Sequence, residues 1–327
     1  MATRTSIKWT GLTWSPMIGC TRVSEGCDGC YAIDTSRIRT FNPNEKISTA
    51  YAGTTHKVDG RVDWTGQVNL LEDRLLQPMS GKGIWRTPQK VFVNSQSDLF
   101  HEEVPDTFVA RILAVMVCTP QHTYQVLTKR HGRMRSLLSK KEFAAAVYAE
   151  AAELGGPASG PWPLPNLWMG VSVESQQWAN TRIPALLATP AAVRFVSAEP
   201  LLGPVDLTRI PYRGDVPYVL DTLTGRYGER EPHTSFWYGM AGLEPIDWVI
   251  VGGESGRRPR PMPLDWARDL RDQCLNSRRP VAFFFKQTGS VTARELGLPG
   301  KGDDPELWPQ EFRIQQFPTP KSPESAR

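Results

Sequence analysis

Three cysteines fall close together in the segment GCTRVSEGCDGCYA, as Cys20, Cys27 and Cys30. Their spacing is C-x6-C-x2-C. Thiolate sulfur is the preferred ligand of iron–sulfur clusters, and the two-residue gap between Cys27 and Cys30 is usual for them. Gly19, Gly26 and Gly29 stand beside the three positions, and small residues there let the backbone fold closely around an inorganic cluster. Three thiolates can hold three irons of a four-iron cluster and leave the fourth open to a substrate or cofactor. Two other readings stand beside this one. A zinc site wants a fourth protein ligand, yet no cysteine or histidine follows until His56. Chance is the other. Cys274 repeats with Trp266 and Leu270 at helical spacing and reads as core, as does Cys118 at the end of an apolar helix.

A second group of polar side chains follows apolar runs. Asn94, Ser95 and Asp98 follow the first run. Lys129 and Arg130 follow the second, Glu174 the third and Glu199 the fourth. Glu254 and Ser255 follow the fifth, in VGGESG, and Lys286 and Gln287 end the sixth. In parallel α/β folds the functional face lies at the C-terminal ends of the strands. Any strand must end in solvated residues, but polar groups at six ends of six favour a bound polar ligand. VGGESG lacks the lysine of a phosphate loop, so close backbone approach to a ligand is the better use of Gly252 and Gly253. The histidines form no HExxH pattern. His101, beside Asp98 and Glu102, reads either as an acid or base or as a helix-start residue.

The elements that must position these groups are predicted as short strands over 90–95, 124–128, 167–173, 193–197, 248–252 and 281–285, with a weaker one over 12–18. None alternates strictly, as expected of strands covered on both faces. Helical patterns lie between them: DTFVARILAVMV with Asp106 as N-cap, SKKEFAAAVYAEAAEL, ESQQWANTRIPALLA, which Pro184 should kink or split, and LDWARDLRDQCL. Repeated β–α alternation indicates an α/β fold, either a barrel or an open parallel sheet. Residues 1–290 are expected to form this body. A Tyr/Trp-rich segment at about 208–245 is read as a lid-like or substrate insertion, and 291–327 as a partly disordered C-terminal extension.

Hydrophobic residues make up 40% of the 327, enough for a full core. Basic and acidic side chains number 38 and 34, an excess too small for a protein that coats nucleic acid. No apolar run approaches a membrane span and the N-terminus lacks an apolar signal core, so a cytoplasmic location and no membrane partner are expected.

The opening IKWTGLTWSPMIGCTRVSEGCDGCYA and the blocks VFVNSQSDLFHEEVP, TPQHTYQVLTKR, LWMGVSVE, RFVSAEPLLGPVDL, DWVIVGGESG and FFFKQ resemble a phage and prophage family of unknown function. This three-cysteine, phage Gp-type family is distantly similar to radical-SAM enzymes, and the resemblance runs from about Ile7 to Gln287. It implies a partial (β/α) barrel of radical-SAM type and a 4Fe–4S cluster. S-adenosylmethionine (SAM) would chelate the open iron. By analogy with that superfamily, Ser95 and Asp98 would bind the methionine end and Glu174 the ribose, with Gly252, Gly253 and Glu254 flanking the ligand. Most radical-SAM enzymes space their cysteines C-x3-C-x2-C, so the first gap departs from the pattern.

The implied reaction is reductive cleavage of SAM to methionine and a 5′-deoxyadenosyl radical, which needs an electron donor and leaves room for a partner protein. Lys129, Arg130, Glu199 and Lys286 are the candidates for substrate binding or catalysis. A nucleic-acid component, whether DNA, RNA or a nucleotide, is one candidate substrate, and a peptide or small metabolite is the opposing one. Nucleic-acid phosphates would pair with Lys129, Arg130, Arg133 and Arg135 or with Arg257, Arg258 and Arg260. The rival expectations are a non-catalytic binding module stabilised by zinc or an iron–sulfur cluster, and a non-radical SAM-dependent transferase.

Overall fold

The computed structural model describes residues 3–212, 218–229, 237–256 and 258–319. Arg257 and His233, and the tail from residue 320, lie outside the described residues, as do parts of the 208–245 segment. The chain divides into two compact units, Met1–Trp168 with Pro190–Ala192, and Met169–Thr189 with Val193–Arg327.

The first unit opens with β1 (Thr3–Arg4), β2 (Leu12–Trp14) and β3 (Met17–Ile18). The run expected over 12–18 breaks at Ser15–Pro16, because proline has no N–H for a ladder. The cysteine loop leads into α1 (Tyr31–Thr40) and α2 (Glu45–Tyr51). A hairpin of β4 (Thr55–Val58) and β5 (Arg61–Trp64) follows, then β6 (Asn69–Leu70), which pairs with β3, and α3 (Glu72–Leu75). Next come β7 (Lys90–Val93), α4 (Asp106–Cys118), β8 (Thr123–Thr128), α5 (His131–Leu138) and α6 (Lys141–Glu153). β2, β7 and β8 run parallel, with Leu12 opposite Val91 and Val91 opposite Tyr124, and β1 adds an antiparallel edge.

Strand β7 stops at Val93, short of the expected end, because Asn94 turns into the left-handed region at φ +62°. Asp106 is the first residue of α4, and Pro105 occupies the cap position. Val109, Ile112, Leu113 and Met116 of α4 are buried.

The second unit carries β9 (Leu167–Ser172), α7 (Gln176–Leu187), β10 (Val193–Ala198), the short strands β11 (Ile210–Tyr212), β12 (Tyr218–Asp221), β13 (Arg226–Glu229) and β14 (Trp237–Met240), then β15 (Trp248–Gly252), α8 (Leu264–Leu275), β16 (Ala282–Gln287) and α9 (Ser290–Glu295). The order β9-β10-β15-β16 places β16 last, and β15 is parallel to both its neighbours. Every residue of β9, β10 and β15 is buried, which is why their sequences do not alternate. The chain is thus mixed α/β, with parallel strands alternating with helices in both units. Helix α7 continues through Pro184 without splitting.

The 208–245 segment contributes an antiparallel meander, β11-β12-β13-β14. Its tyrosines contact one another: Tyr227 lies 5.6 Å from Tyr212 and 6.0 Å from Tyr238 between ring centroids. Beyond α9, Trp308 and Phe312 are buried with their rings 4.9 and 4.7 Å from Phe285. Residues 314–316 then run antiparallel to β16, with the Phe285 amide donating to the Ile314 carbonyl and the Gln316 amide to the Phe283 carbonyl, both at 2.9 Å. No helix among the described residues is long and apolar enough to cross a membrane.

Candidate functional site

The cysteine loop leaves β3 through Gly19, whose φ of +114° is open to glycine and strained for other residues. A Cβ at Gly19 would also overlap the Gln67 carbonyl oxygen. Cys27 closes a short 3-10 turn over Glu25–Cys27 and its amide donates to the Ser24 carbonyl at 2.8 Å. Cys30 is the N-cap of α1, where the amides of a helix start favour negative charge on sulfur. Cys20 and Cys30 pack against a small core of Ala32, Ile33 and Trp64.

Partners distant in sequence hold this loop. The Arg22 guanidinium donates to the Cys27 carbonyl at 2.7 Å and to both Asp63 carboxylate oxygens at 2.8 and 2.9 Å. The Gly19 amide donates to the Gln96 carbonyl, and the Tyr31 hydroxyl donates to the Ser95 carbonyl at 2.8 Å. The loop after β7, which carries Ser95 and Asp98, is therefore fastened to the cysteine loop at both ends.

The thiols feel one another. Burial pushes the Cys20 thiol up to about 12; the Asp98 carboxylate adds to this, the Arg130 cation opposes it, and Cys30 and Cys27 contribute further upward shifts. Burial also raises the Cys30 thiol; the Ala32 amide at the helix start opposes this, and Cys27 adds to it. Two donors address the sulfurs: Arg130 Nη1 lies 3.6 Å from Cys20 Sγ, and the Val23 amide lies 3.5 Å from Cys27 Sγ.

Asp98 is a buried carboxylate with a full set of donors. Oδ1 accepts from the Phe100 amide at 3.0 Å and the Thr128 hydroxyl at 2.6 Å, and Oδ2 from the Lys129 amide at 3.0 Å and Arg130 Nη1 at 3.2 Å. His101 is fully buried: Nδ1 accepts from the Glu103 amide and Nε2 meets the Thr21 hydroxyl at 3.1 Å. Both ring nitrogens are thus engaged, and burial first, then the Arg130 cation, pushes its pKa down. The residue is a structural neutral imidazole in the loop between β7 and α4. Arg133 donates to the carbonyls of His101 and Val104 and to Asp106. Among the described residues, no three His, Cys, Asp or Glu side chains form a group suited to a single metal ion. The three cysteines supply an all-sulfur donor set on one loop, with N–H groups 3.6 and 3.5 Å from two of the sulfurs, and thiolate sulfur is the ligand type of iron–sulfur clusters.

The second unit brings together a different set. Lys286, within β16, pairs with Glu199 beyond β10. A Cβ at Gly252 would lie 3.4 Å from Glu199 Cδ, and one at Gly253 would overlap the Thr288 carbonyl. The close approach at these glycines is therefore met by the chain itself. Gln287 donates to the Gly253 carbonyl at 2.8 Å, while its buried Oε1 has no donor among the described residues. Glu254 forms a fork with Arg260, at 2.6 Å to Nη2 and 2.9 Å to Nε. Glu174 and Arg182 are both fully buried and paired at 2.8 Å. The carboxylate assigned by resemblance to a ribose thus has an arginine on it.

Arg22, Thr21, Tyr31 and Thr128 were not singled out from the sequence. Their partners lie 30 to 80 residues away; only the TR pair directly after Cys20 offered a signal.

Comparison with known proteins finds one family, described as "Protein of unknown function (DUF5131)", whose profile matches residues 4–315. No curated protein and no solved structure matches the chain.

Proposed function

We propose that this chain, which belongs to the DUF5131 family of proteins of unknown function, is a 4Fe–4S protein of radical-SAM type. The kinship with phage proteins and with the radical-SAM superfamily, the partial-barrel form of the α/β fold and the cytoplasmic location are parts of the same proposal. One observation carries it: three cysteines meet on one loop, Cys20 and Cys30 pack on the same small core, and N–H donors lie 3.6 Å from Cys20 Sγ and 3.5 Å from Cys27 Sγ. Cys20, Cys27 and Cys30 would hold three irons. Arg22 ties the Cys27 carbonyl to the β4–β5 hairpin and keeps the loop in register. When bound, the cluster supplies the electron for reductive cleavage of SAM.

Ser95, on a loop fastened to the cysteines, remains the candidate for the methionine end of SAM. In the second unit, Glu199 and Lys286 form a proton-capable pair at strand ends, and Gln287 Oε1 offers a buried acceptor to a ligand N–H. A nucleic-acid component is the proposed substrate, although Arg130, Arg133 and Arg260 are each engaged by acceptors of the chain. Lys129 keeps its place as a candidate beside the exposed Arg135 and Arg258 for phosphate recognition.

Anaerobic, iron-replete protein should carry about four irons and four sulfides per chain, as a four-iron cluster requires. Cys20→Ala, Cys27→Ala or Cys30→Ala should each abolish it, and Cys118→Ala and Cys274→Ala should not. Stoichiometric zinc without sulfide would establish the zinc-stabilised module instead. Dithionite-reduced protein with SAM should yield 5′-deoxyadenosine; S-adenosylhomocysteine would mark a transferase, and absence of SAM binding a non-catalytic module. If neither DNA nor RNA binds at low salt and nucleotides do not stimulate turnover, the substrate assignment fails, because phosphate contacts strengthen as salt falls.

A further inference from the structure

We infer that Arg130 and Asp98 act as an opposed charge pair on the Cys20 sulfur, setting the reduction potential of the cluster that this cysteine would hold rather than binding substrate or SAM. The inference rests on the 4Fe–4S reading of the three cysteines.

The guanidinium is held on all sides. Nη1 is shared between Cys20 Sγ at 3.6 Å and Asp98 Oδ2 at 3.2 Å. Nη2 donates to the Thr21 hydroxyl at 2.5 Å and the Thr21 carbonyl at 3.4 Å, and Nε to Glu102 at 3.2 Å. The Arg130 side chain is 9% exposed and that of Asp98 8%. A planar guanidinium fixed by this many acceptors cannot swing out to a phosphate without leaving a buried carboxylate short of its countercharge. The four donors on Asp98 use the lone pairs a ligand would need.

Position explains the function. Thr128 ends β8, and three of the four donors on Asp98 come from it and the next two residues, Lys129 and Arg130. The strand end thus grips the β7 loop and presents one cation and one anion to Cys20. Hydrogen bonds and positive charge at a cluster sulfur stabilise the reduced cluster, which is the more negative state, and raise its potential; a bare carboxylate lowers it. The two groups therefore pull in opposite directions, and loss of either unmasks the other.

The test is an anaerobic redox titration of reconstituted, full-length protein followed by electron paramagnetic resonance. Arg130→Met should lower the midpoint potential relative to wild type, and Asp98→Asn should raise it. Arg130→Lys, which keeps charge but not the fork, should fall between wild type and Arg130→Met. If Arg130→Met does not fold, Arg130→Gln carries the same expectation, being neutral but polar. A folded Arg130→Met that loads no cluster while Arg130→Lys loads normally would also support a cation requirement at Cys20. Loaded variants with unshifted potentials, or shifts of the same sign in Arg130→Met and Asp98→Asn, would overturn the inference and leave the cluster reading intact. Wild-type protein with no iron and sulfide would remove both.

Discussion

Replacing Glu174 with glutamine separates two roles for this residue. The resemblance to radical-SAM enzymes gives it a ribose to bind, and the structure gives it Arg182. Both side chains are fully buried, Arg182 Nη1 donates to Glu174 Oε2 at 2.8 Å and to the Ser172 carbonyl at 2.7 Å, and the guanidinium lies 4.0 Å from the Trp178 ring centroid. Glutamine keeps the shape and an acceptor oxygen but removes the charge that balances a buried cation. Removing one member of a buried pair costs about 3–5 kcal/mol, and retention of a hydrogen bond argues for the lower end, about 3 kcal/mol. At about 2–4 °C per kcal/mol for a unit of this size, Tm should fall by about 6–12 °C. Scanning calorimetry with matched urea denaturation measures this. Glu174→Leu combined with Arg182→Met removes both charges and should be less destabilised than Glu174→Gln alone, because buried pairs replaced by apolar groups lose little. A Glu174→Gln protein that melts within about 2 °C of wild type but binds SAM poorly would refute the reasoning and restore the ribose role.

Gly253→Ala places a methyl against the Thr288 carbonyl and should cost about 1–3 kcal/mol by overpacking, read from urea unfolding. Gly132→Ala in α5 meets nothing within 4 Å and should stabilise by about 0.5–1 kcal/mol in the same assay. Arg22→Ala should leave the fold nearly unchanged, since exposed pairs contribute about 0.2–1 kcal/mol, but should shorten the lifetime of a bound cluster towards a chelator. His101 is held neutral, with a folded pKa below the ordinary 6.5, so the unfolded chain takes up its proton first as the medium is acidified. Stability from this residue is present above pH 6.5 and lost as pH falls towards the folded value; His101→Gln should flatten that slope in denaturation curves measured from pH 7 downward.

The α/β class was legible because strands covered on both faces must be continuously apolar, and β9, β10 and β15 are buried along their whole length. The cysteine loop stands out in the sequence because its three cysteines lie within eleven residues of one another. What the sequence hid was pairing. Asp98 looks like a free carboxylate after a strand until Thr128, Lys129 and Arg130 arrive from 30 residues further on. Helix α5 escaped notice because it starts directly after β8 with Arg130 in the cap position, a residue whose side chain makes no cap. The meander escaped because strands of three or four residues are too short to show a period, so its tyrosines read as a loose aromatic lid when several contact each other across the sheet.

The segment laid along β16 by residues 314–316 has a consequence for solubility. β16 is the last strand in its sheet order, and a terminal strand carries a row of unsatisfied amides and carbonyls that can template pairing with another chain. Here the row is met from within, by Ile314 and Gln316, and the segment is pinned in place by the Trp308 and Phe312 rings against Phe285. With phenylalanines at three successive positions, Phe283, Phe284 and Phe285, an uncovered β16 would combine an open ladder with a strongly apolar strand, the pairing that favours edge-to-edge polymerisation. The residues after α9 thus close the β16 edge from within the chain, whatever chemistry the cysteines perform.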